Sequence, residues 1–295
     1  MISTKADRTA GKPANEPTAL KPAWCPGCGN FGILKAVEKA INDMGLKRNQ
    51  VLMVSGIGQS GKLPHYVQGV NIFNELHGRP MPAAIGAKIA NPDLIVIAES
   101  GDGDGYGEGG NHWIHAMRRN HDITYLVHDN QIYGLTKGQT SPTSDAGFIS
   151  TTTPYGAPEP INPIAVALAC RASFIARSFA GDIEHLAEMI ELGIQHKGFA
   201  LIDILQPCVT FNHENTFAWY SKRIYRLSEE KGYKPEDKAA AFIKSQEWGE
   251  KIPIGVIYKE ARPTFEDLLP SFKKGPMHSR KLDPLSIAGL LNEFA

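Results

Sequence analysis

The sequence predicts an α/β fold: a doubly wound parallel sheet with helices on both faces, plus an irregular C-terminal extension. Three observations predict it. Short, continuously apolar runs such as VLMVS (51–55) and ALIDIL (200–205) have the length of buried strands. Longer segments of helical period lie between them. Glycines break the chain where the apolar runs end, as in Gly56-Ile57-Gly58 and Gly101-Asp102-Gly103-Asp104-Gly105.

Taken in order, residues 1–22 read as a flexible arm, rich in Thr, Lys, Ala and Pro and without period. The turn WCPGCGNFG (24–32) leads into a helix on which Ile33, Leu34, Val37, Ala40, Ile41 and Met44 share a face, with Gly45 as its stop. VLMVS and DLIVIAES (93–100) are strands, each ending in a glycine turn. NHWIHAMRR reads as a helix, and ITYLVH (123–128) as the next strand. A helix around PIAVALACRA, the strand IARSFA, a helix from Asp182 to about His196 closed by Gly198, and the strand ALIDIL complete a domain over 23–210. Residues 211–281 are rich in Lys, Glu, Trp, Tyr and Pro and lack βα alternation, so 211–295 reads as an extension that docks a partner subunit. The chain closes on a short amphipathic helix in LDPLSIAGLLNEFA.

Composition narrows the function classes. The 295 residues are 42% apolar and 21% charged, which suits a packed globular chain. Lysine plus arginine and aspartate plus glutamate balance at 31 each, so nothing points to nucleic acid or an anionic membrane. Four cysteines in this length are not a secreted disulfide scaffold. No secretory signal and no run long enough to cross a bilayer are visible, and the expected compartment is the cytoplasm.

The chemistry concentrates at strand ends. Gly101-Asp102-Gly103-Asp104-Gly105 ends one predicted strand and Asp129-Asn130 the next, so both face one crevice. Glycines admit an anionic group to the backbone, and a carboxylate beside a diphosphate needs a divalent cation between them. Mg²⁺ takes oxygen ligands, and Asp102, the amide oxygen of Asn130 and the carbonyl of Ile132 supply them. Each half alone is also an ordinary β-turn. Their pairing, with 26 residues between Gly103 and Asn130, is the specific signal.

That spacing resembles the thiamine diphosphate motif. More widely, the chain resembles the beta subunit of 2-oxoacid:ferredoxin oxidoreductases, most of all those acting on 2-oxoglutarate. The matching segments are WCPGCGNFGILKA, VSGIGQSGKLPHY, LHGR, GDGDGYGEGGNHWIHAMRRNHDITYLVHDNQIYGLTKGQTSPTS and DILQPCVTFN, spanning 24–212. The resemblance implies Asp102, Asn130 and Ile132 as Mg²⁺ ligands. It implies Gly101, Gly103, Asp104, Gly134 and Leu135 around the diphosphate and thiazolium, and Ile57, Gly58, Gln59 and Ser60 as a second wall. His77 of LHGR would stand near the cofactor with a catalytic role. From its own charge and its place one turn beyond the metal ligands, Lys137 of LTKGQTSPTS is a candidate to hold a substrate carboxylate. Taken on their residues alone, Leu135 reads equally as core, Lys137 as a solvated loop cation, and the dispersed His65, His112, His115, His121 and His128 as surface or helix-face residues.

Cys25-Pro-Gly-Cys28 is by itself open between a redox pair, a zinc knuckle and half an iron–sulfur site. The resemblance implies that Cys25, Cys28 and Cys208 bind a [4Fe–4S] cluster, whose fourth cysteine is replaced here by Gln59. The fourth iron would then be held by water, held by a side chain such as His65 or His213, or lost. Cys170, in an apolar helix, reads as a small buried hydrophobe.

The implied activity is CoA-dependent oxidative decarboxylation of a 2-oxoacid, 2-oxoglutarate favoured and pyruvate second, with electrons passing to ferredoxin. The implied partner is an alpha, or fused gamma-alpha, subunit that brings the pyrimidine-end glutamate missing here. A non-oxidative thiamine diphosphate-dependent lyase and a zinc-binding non-catalytic subunit are the competing readings. A nicotinamide enzyme is excluded, because no GxGxxG opens a helix after a strand.

Overall fold

A computed structural model describes residues 20–280 and 286–293, so the arm expected over 1–22 lies almost wholly outside the described residues. Helix α1 (Asn30–Asp43) buries Ile33, Val37, Ala40 and Ile41 on the predicted face, and Gly45 at φ 62° follows its end. Strand β1 (Val51–Ser55), strand β2 (Asn71–Asn74), helix α2 (Pro80–Ala90) and strand β3 (Ile95–Gly101) come next. They are followed by helix α3 (Gly110–Arg119), strand β4 (Thr124–Asp129) and a small hairpin, β5 (Ile132–Tyr133) with β6 (Gln139–Thr140). Helix α4 (Pro163–Ala169) starts at Asn162 and helix α5 (Ile183–Gln195) at Asp182, each capped by that side chain. Strand β7 (Phe174–Phe179) lies between those helices, and strand β8 (Ala200–Leu205) follows.

The strands form one sheet in the order β2-β1-β3-β4-β8-β7, extended by two strands beyond β7. Within this set all pairings are parallel. Apart from the exposed edge strand β2, these strands are buried on both faces, which is why they read as apolar runs. In β4, Leu126 enters a core shared with α1 and α5, while Tyr125 and Val127 enter a second core with α2, α3 and α4. One polar tie crosses the second face. Lys88 of α2 is buried and places its ammonium 2.8 Å from Asp122, just before β4.

The stretch after Thr210 differs from the irregular extension its composition suggests. It contains helix α6 (Phe217–Ser221), strand β9 (Ile224–Arg226), helix α7 (Lys238–Ser245), strand β10 (Ile252–Lys259) and the short helix α8 (Phe265–Leu268). Strand β10 pairs antiparallel with β7, and β9 runs parallel outside it. Most of β10 is buried against the sheet, while the exposed charges around it lie on loops and α7. Apolar β10 thus belongs to the main sheet, and its polar flanks had masked it. Helix α9 (Ser286–Glu293) matches the predicted terminal helix. Among the described residues, no helix is long and apolar enough to cross a membrane.

Candidate active site

Strands β1, β3 and β4 are parallel neighbours, so the loops at their carboxyl ends open side by side. From β1 the chain moves outward to β2, then crosses back to β3 and proceeds the other way. The β1/β3 junction is therefore the switch point at which open α/β sheets hold ligands. A cleft of about 520 Å³ opens there. Ile57, Gly58, Gln59, Ser60 and His77 line one wall, and Gly101, Asp102, Gly103 and Asp104 the floor. Asn130, Ile132, Gly134 and Leu135 line the other wall. These sequence-predicted residues thus meet around one space. Lys137 does not line it: that residue is exposed, at φ 75°, in the β5–β6 turn.

Beyond β3 the backbone forms a π-helical turn, Gly103–Glu108. Asp102 sits at its entrance, 1% exposed, and its carboxylate accepts the hydroxyls of Ser141 and Thr143, the latter at 2.7 Å. Burial lifts Asp102 to about 6, against the pull of those two hydroxyls. Thr143 Oγ1 also lies 2.7 Å from Asp129, whose carboxyl is pushed upward by burial and by Asp203 and Asp102. One hydroxyl has one proton and can satisfy one carboxylate, so Asp129 is the member of this group favoured to be protonated. Asn130 Oδ1 caps its own turn on the Ile132 N–H at 3.0 Å, and Gln131 at φ 59° swings the chain into the hairpin.

Asp104 lies on the cleft floor with its carboxylate engaged by the first wall. Its Oδ1 accepts the backbone N–H groups of Ile57 at 3.0 Å and Gly78 at 2.7 Å, and the imidazole of His77 at 2.6 Å. Gly56 is required beside it, since a Cβ there would lie 1.9 Å from Asp104 Oδ2. Gly103 is equally constrained, since a Cβ on it would lie 2.3 Å from Tyr133 Cε1. Sequence reasoning missed Tyr133, Thr136, Ser141 and Thr143. The last two sit in the quoted segment SPTS, which is the one signal that could have found them.

The cysteines gather beside the same cleft. The CPGC turn closes through a Cys28 N–H to Cys25 carbonyl bond of 3.0 Å. It packs on the chain after β8, where Gly29 N–H reaches the Pro207 carbonyl at 3.2 Å and Gln206 Nε2 donates to Cys28 Sγ at 3.4 Å. Burial pushes the Cys28 thiol up to about 11; the Asn30 N–H opposes this, and nearby Cys208 and Cys25 add to it. Trp24 ties this turn to the first wall of the cleft, its indole N–H donating to the Gln59 carbonyl at 2.8 Å. Gln59 Oε1 is buried with no hydrogen-bond partner among the described residues. His213 shares a 430 Å³ surface cavity with Cys208, and His65 ends the 3₁₀ turn after Gln59. Among the described residues, no three metal-ligating side chains already converge on one point. Cys170 caps α4 and packs against the second core, half-buried.

Comparison with known proteins decides the family. Residues 55–204 match the thiamine pyrophosphate enzyme C-terminal TPP binding domain, and 208–274 match the C-terminal region of the pyruvate ferredoxin oxidoreductase beta subunit. The chain is 46% identical over 269 residues to the 2-oxoacid:ferredoxin oxidoreductase subunit beta of Saccharolobus solfataricus, covering 86% of this chain and 88% of that one. This chain belongs to the 2-oxoacid:ferredoxin oxidoreductase beta-subunit family. As such it is an enzyme subunit with a thiamine diphosphate-binding domain, and a beta subunit implies an alpha partner. The family includes 2-oxoglutarate oxidoreductase subunit KorB of Mycobacterium tuberculosis, 44% identical over 190 residues, 64% of this chain and 51% of that one. A solved relative is the 2-oxoglutarate:ferredoxin oxidoreductase from Magnetococcus marinus with 2-oxoglutarate, coenzyme A and succinyl-CoA bound. It superposes with a TM-score of 0.85 at 37% identity, covering 92% of each chain.

Proposed function

We propose that this chain is the thiamine diphosphate- and Mg²⁺-holding subunit of an enzyme that oxidatively decarboxylates a 2-oxoacid to its acyl-CoA, with 2-oxoglutarate as the preferred substrate. The observation that carries the reading is the convergence of Asp102, Asn130 and Ile132 on the floor and wall of one cleft. A carboxylate, an amide oxygen and a carbonyl are the hard donors Mg²⁺ takes. A buried carboxylate lifted to about 6 is also one that a cation would restore to its charged form. At Gly134 no atom lies within 4 Å of where a Cβ would stand, which leaves the wall open to a ligand. Asp102, Asn130 and the Ile132 carbonyl would hold Mg²⁺, with the diphosphate over Gly101 and Gly103. Leu135, 46% exposed at the rim, would support the thiazolium from below. The chemistry thiamine diphosphate supplies when bound is a sink for the electron pair left as CO₂ departs.

The same reading assigns a [4Fe–4S] cluster to Cys25, Cys28 and Cys208, with ferredoxin as the acceptor. Donors already point at Cys28 Sγ from Gln206 and from the Asn30 backbone, as suits a buried thiolate. Lys137, exposed in the β5–β6 turn outside the cleft lining, would serve as the cation for the substrate's carboxylate, and residues from 211 onward would help to bind the alpha partner. The 2-oxoglutarate preference is supported by relatives named for that substrate.

The test is product analysis on the complex of this chain with its alpha subunit, given CoA, ferredoxin and a panel of 2-oxoacids. Succinyl-CoA with reduced ferredoxin is the expected result. Preferential acetyl-CoA formation would overturn the substrate assignment, and aldehyde release without reduced ferredoxin would favour a lyase.

A further inference from the structure

We propose that Asp104 and His77 form a dyad in which Asp104 positions His77 to exchange a proton with the 2-oxo oxygen of the substrate. This rests on the cleft being the cofactor and substrate site. The sequence placed Asp104 among groups holding the cofactor; its carboxylate is 1% exposed and engaged by the first wall. Oδ1 collects two backbone N–H groups and the His77 Nδ1, the last at 2.6 Å, within the range of a charge-assisted bond. The two amides fix the oxygen, and the oxygen fixes the ring. With Nδ1–H bound to Asp104, the nitrogen remaining at the cleft is Nε2.

The surroundings favour function over a simple tie. The His77 side chain is 42% exposed and lines the cleft, edge-on to Tyr133 at 6.3 Å between ring centres. Asp104 Oδ2 is buried without a hydrogen-bond partner among the described residues, and Gly56 leaves no room for its carboxyl to swing. As the 2-oxo carbon gains a bond, the carbonyl π pair moves to its oxygen, which takes the proton from Nε2–H. The neutral ring keeps Nδ1–H on Asp104. After CO₂ has left and two electrons have passed to the ferredoxin acceptor, the carbonyl re-forms as the acyl group moves to the CoA sulfur, the thiol proton goes to solvent, and the borrowed proton returns to Nε2, so His77 ends as it began.

The experiment uses the complex with the alpha subunit, assayed with 2-oxoglutarate, CoA and a viologen acceptor. In His77→Ala, thiamine diphosphate affinity should stay within about threefold by calorimetry. Its kcat should fall about 100- to 1000-fold, and added imidazole should restore at least about tenfold of that loss. Asp104→Asn keeps an oxygen for Ile57 and Gly78, and should lower kcat by a similar factor with the melting temperature little changed. In the double variant the second substitution should cost less than about twofold more, because Asp104 acts through His77. Multiplicative losses, no rescue by imidazole, or cofactor affinity lost in Asp104→Asn would each overturn the dyad. The underlying site assignment fails separately, by unchanged cofactor affinity in Asp102→Ala.

Discussion

Asp102 concentrates the electrostatics of the cleft in one side chain. On the proposed assignment, removing its carboxylate takes away the anionic anchor for Mg²⁺ while relieving a buried charge beside Asp129, so Asp102→Ala should fold and lose measurable thiamine diphosphate affinity by calorimetry. Asn130→Ala should weaken binding less, since an amide oxygen carries only a partial charge. On the proposed cluster assignment, three cysteine thiolates would fix three corners, and iron and sulfide analysis of anaerobically purified protein should find about three to four irons per chain. Fewer than about two would remove the cluster from this chain. Gln59→Cys adds a thiolate and should lower the reduction potential, as voltammetry would read. Much of this was legible: glycine-flanked Asp102 and Asn130 stand in a spacing that few other folds need. The direction of the Asp104 carboxylate was not, because a side chain in a turn follows no period and is aimed by partners far away in sequence. Ser141 and Thr143 were silent for the same reason, their roles arising only when the hairpin folds back on Asp102.

At the scale of elements, the buried Lys88–Asp122 pair joins α2 to the start of β4. Burial by itself would raise Asp122, but the Lys88 ammonium outweighs it and the carboxyl is held below its ordinary 3.8. A depressed carboxyl stabilises the fold above the unfolded value and loses that stability as pH falls through the folded one. Native stability should therefore decline below about pH 4, in part through this pair. Lys88→Met leaves the Asp122 carboxylate with only the exposed Lys197 at 3.4 Å and the Gly198 N–H at 3.2 Å, and should cost about 1–3 kcal/mol at neutral pH, with a smaller difference from native at pH 3; urea melts at both pH values check this. The strands differ in how readable they were. β1, β4 and β8 are buried on both faces and announce themselves as apolar runs. β2 is exposed along its whole length and carries no such pattern. β10 was readable as IPIGVIYK, but Pro253 and the charged flanks spoke against a strand inside the sheet.

For the molecule as a whole, the proposed reading makes the cleft a diphosphate and metal half-site. The chain shows no motif for the glutamate that activates thiamine at its pyrimidine end. The isolated chain is therefore expected to be inactive with 2-oxoacid, CoA and an artificial acceptor, and to gain activity on mixing with its alpha subunit. Turnover by the chain alone, read as viologen reduction, would contradict that division of labour. The wiring of the fold suits the arrangement: Trp24, Gln206 and the Gly29–Pro207 contact join the cysteine turn to the β1 loop and to the chain after β8, so the cysteine turn and the cleft share one edge of the fold.

The outermost strand carries a consequence for the cell that makes this protein. β2 ends the sheet with Ile72 42% and Phe73 51% exposed, and Leu76, just beyond, is 73% exposed. An open strand edge bordered by apolar side chains invites extra strands from any chain that passes. Surplus copies would thus be a burden on quality control. Synthesis in step with the partner, from one transcript or at matched rates, is the simplest way to keep such copies scarce.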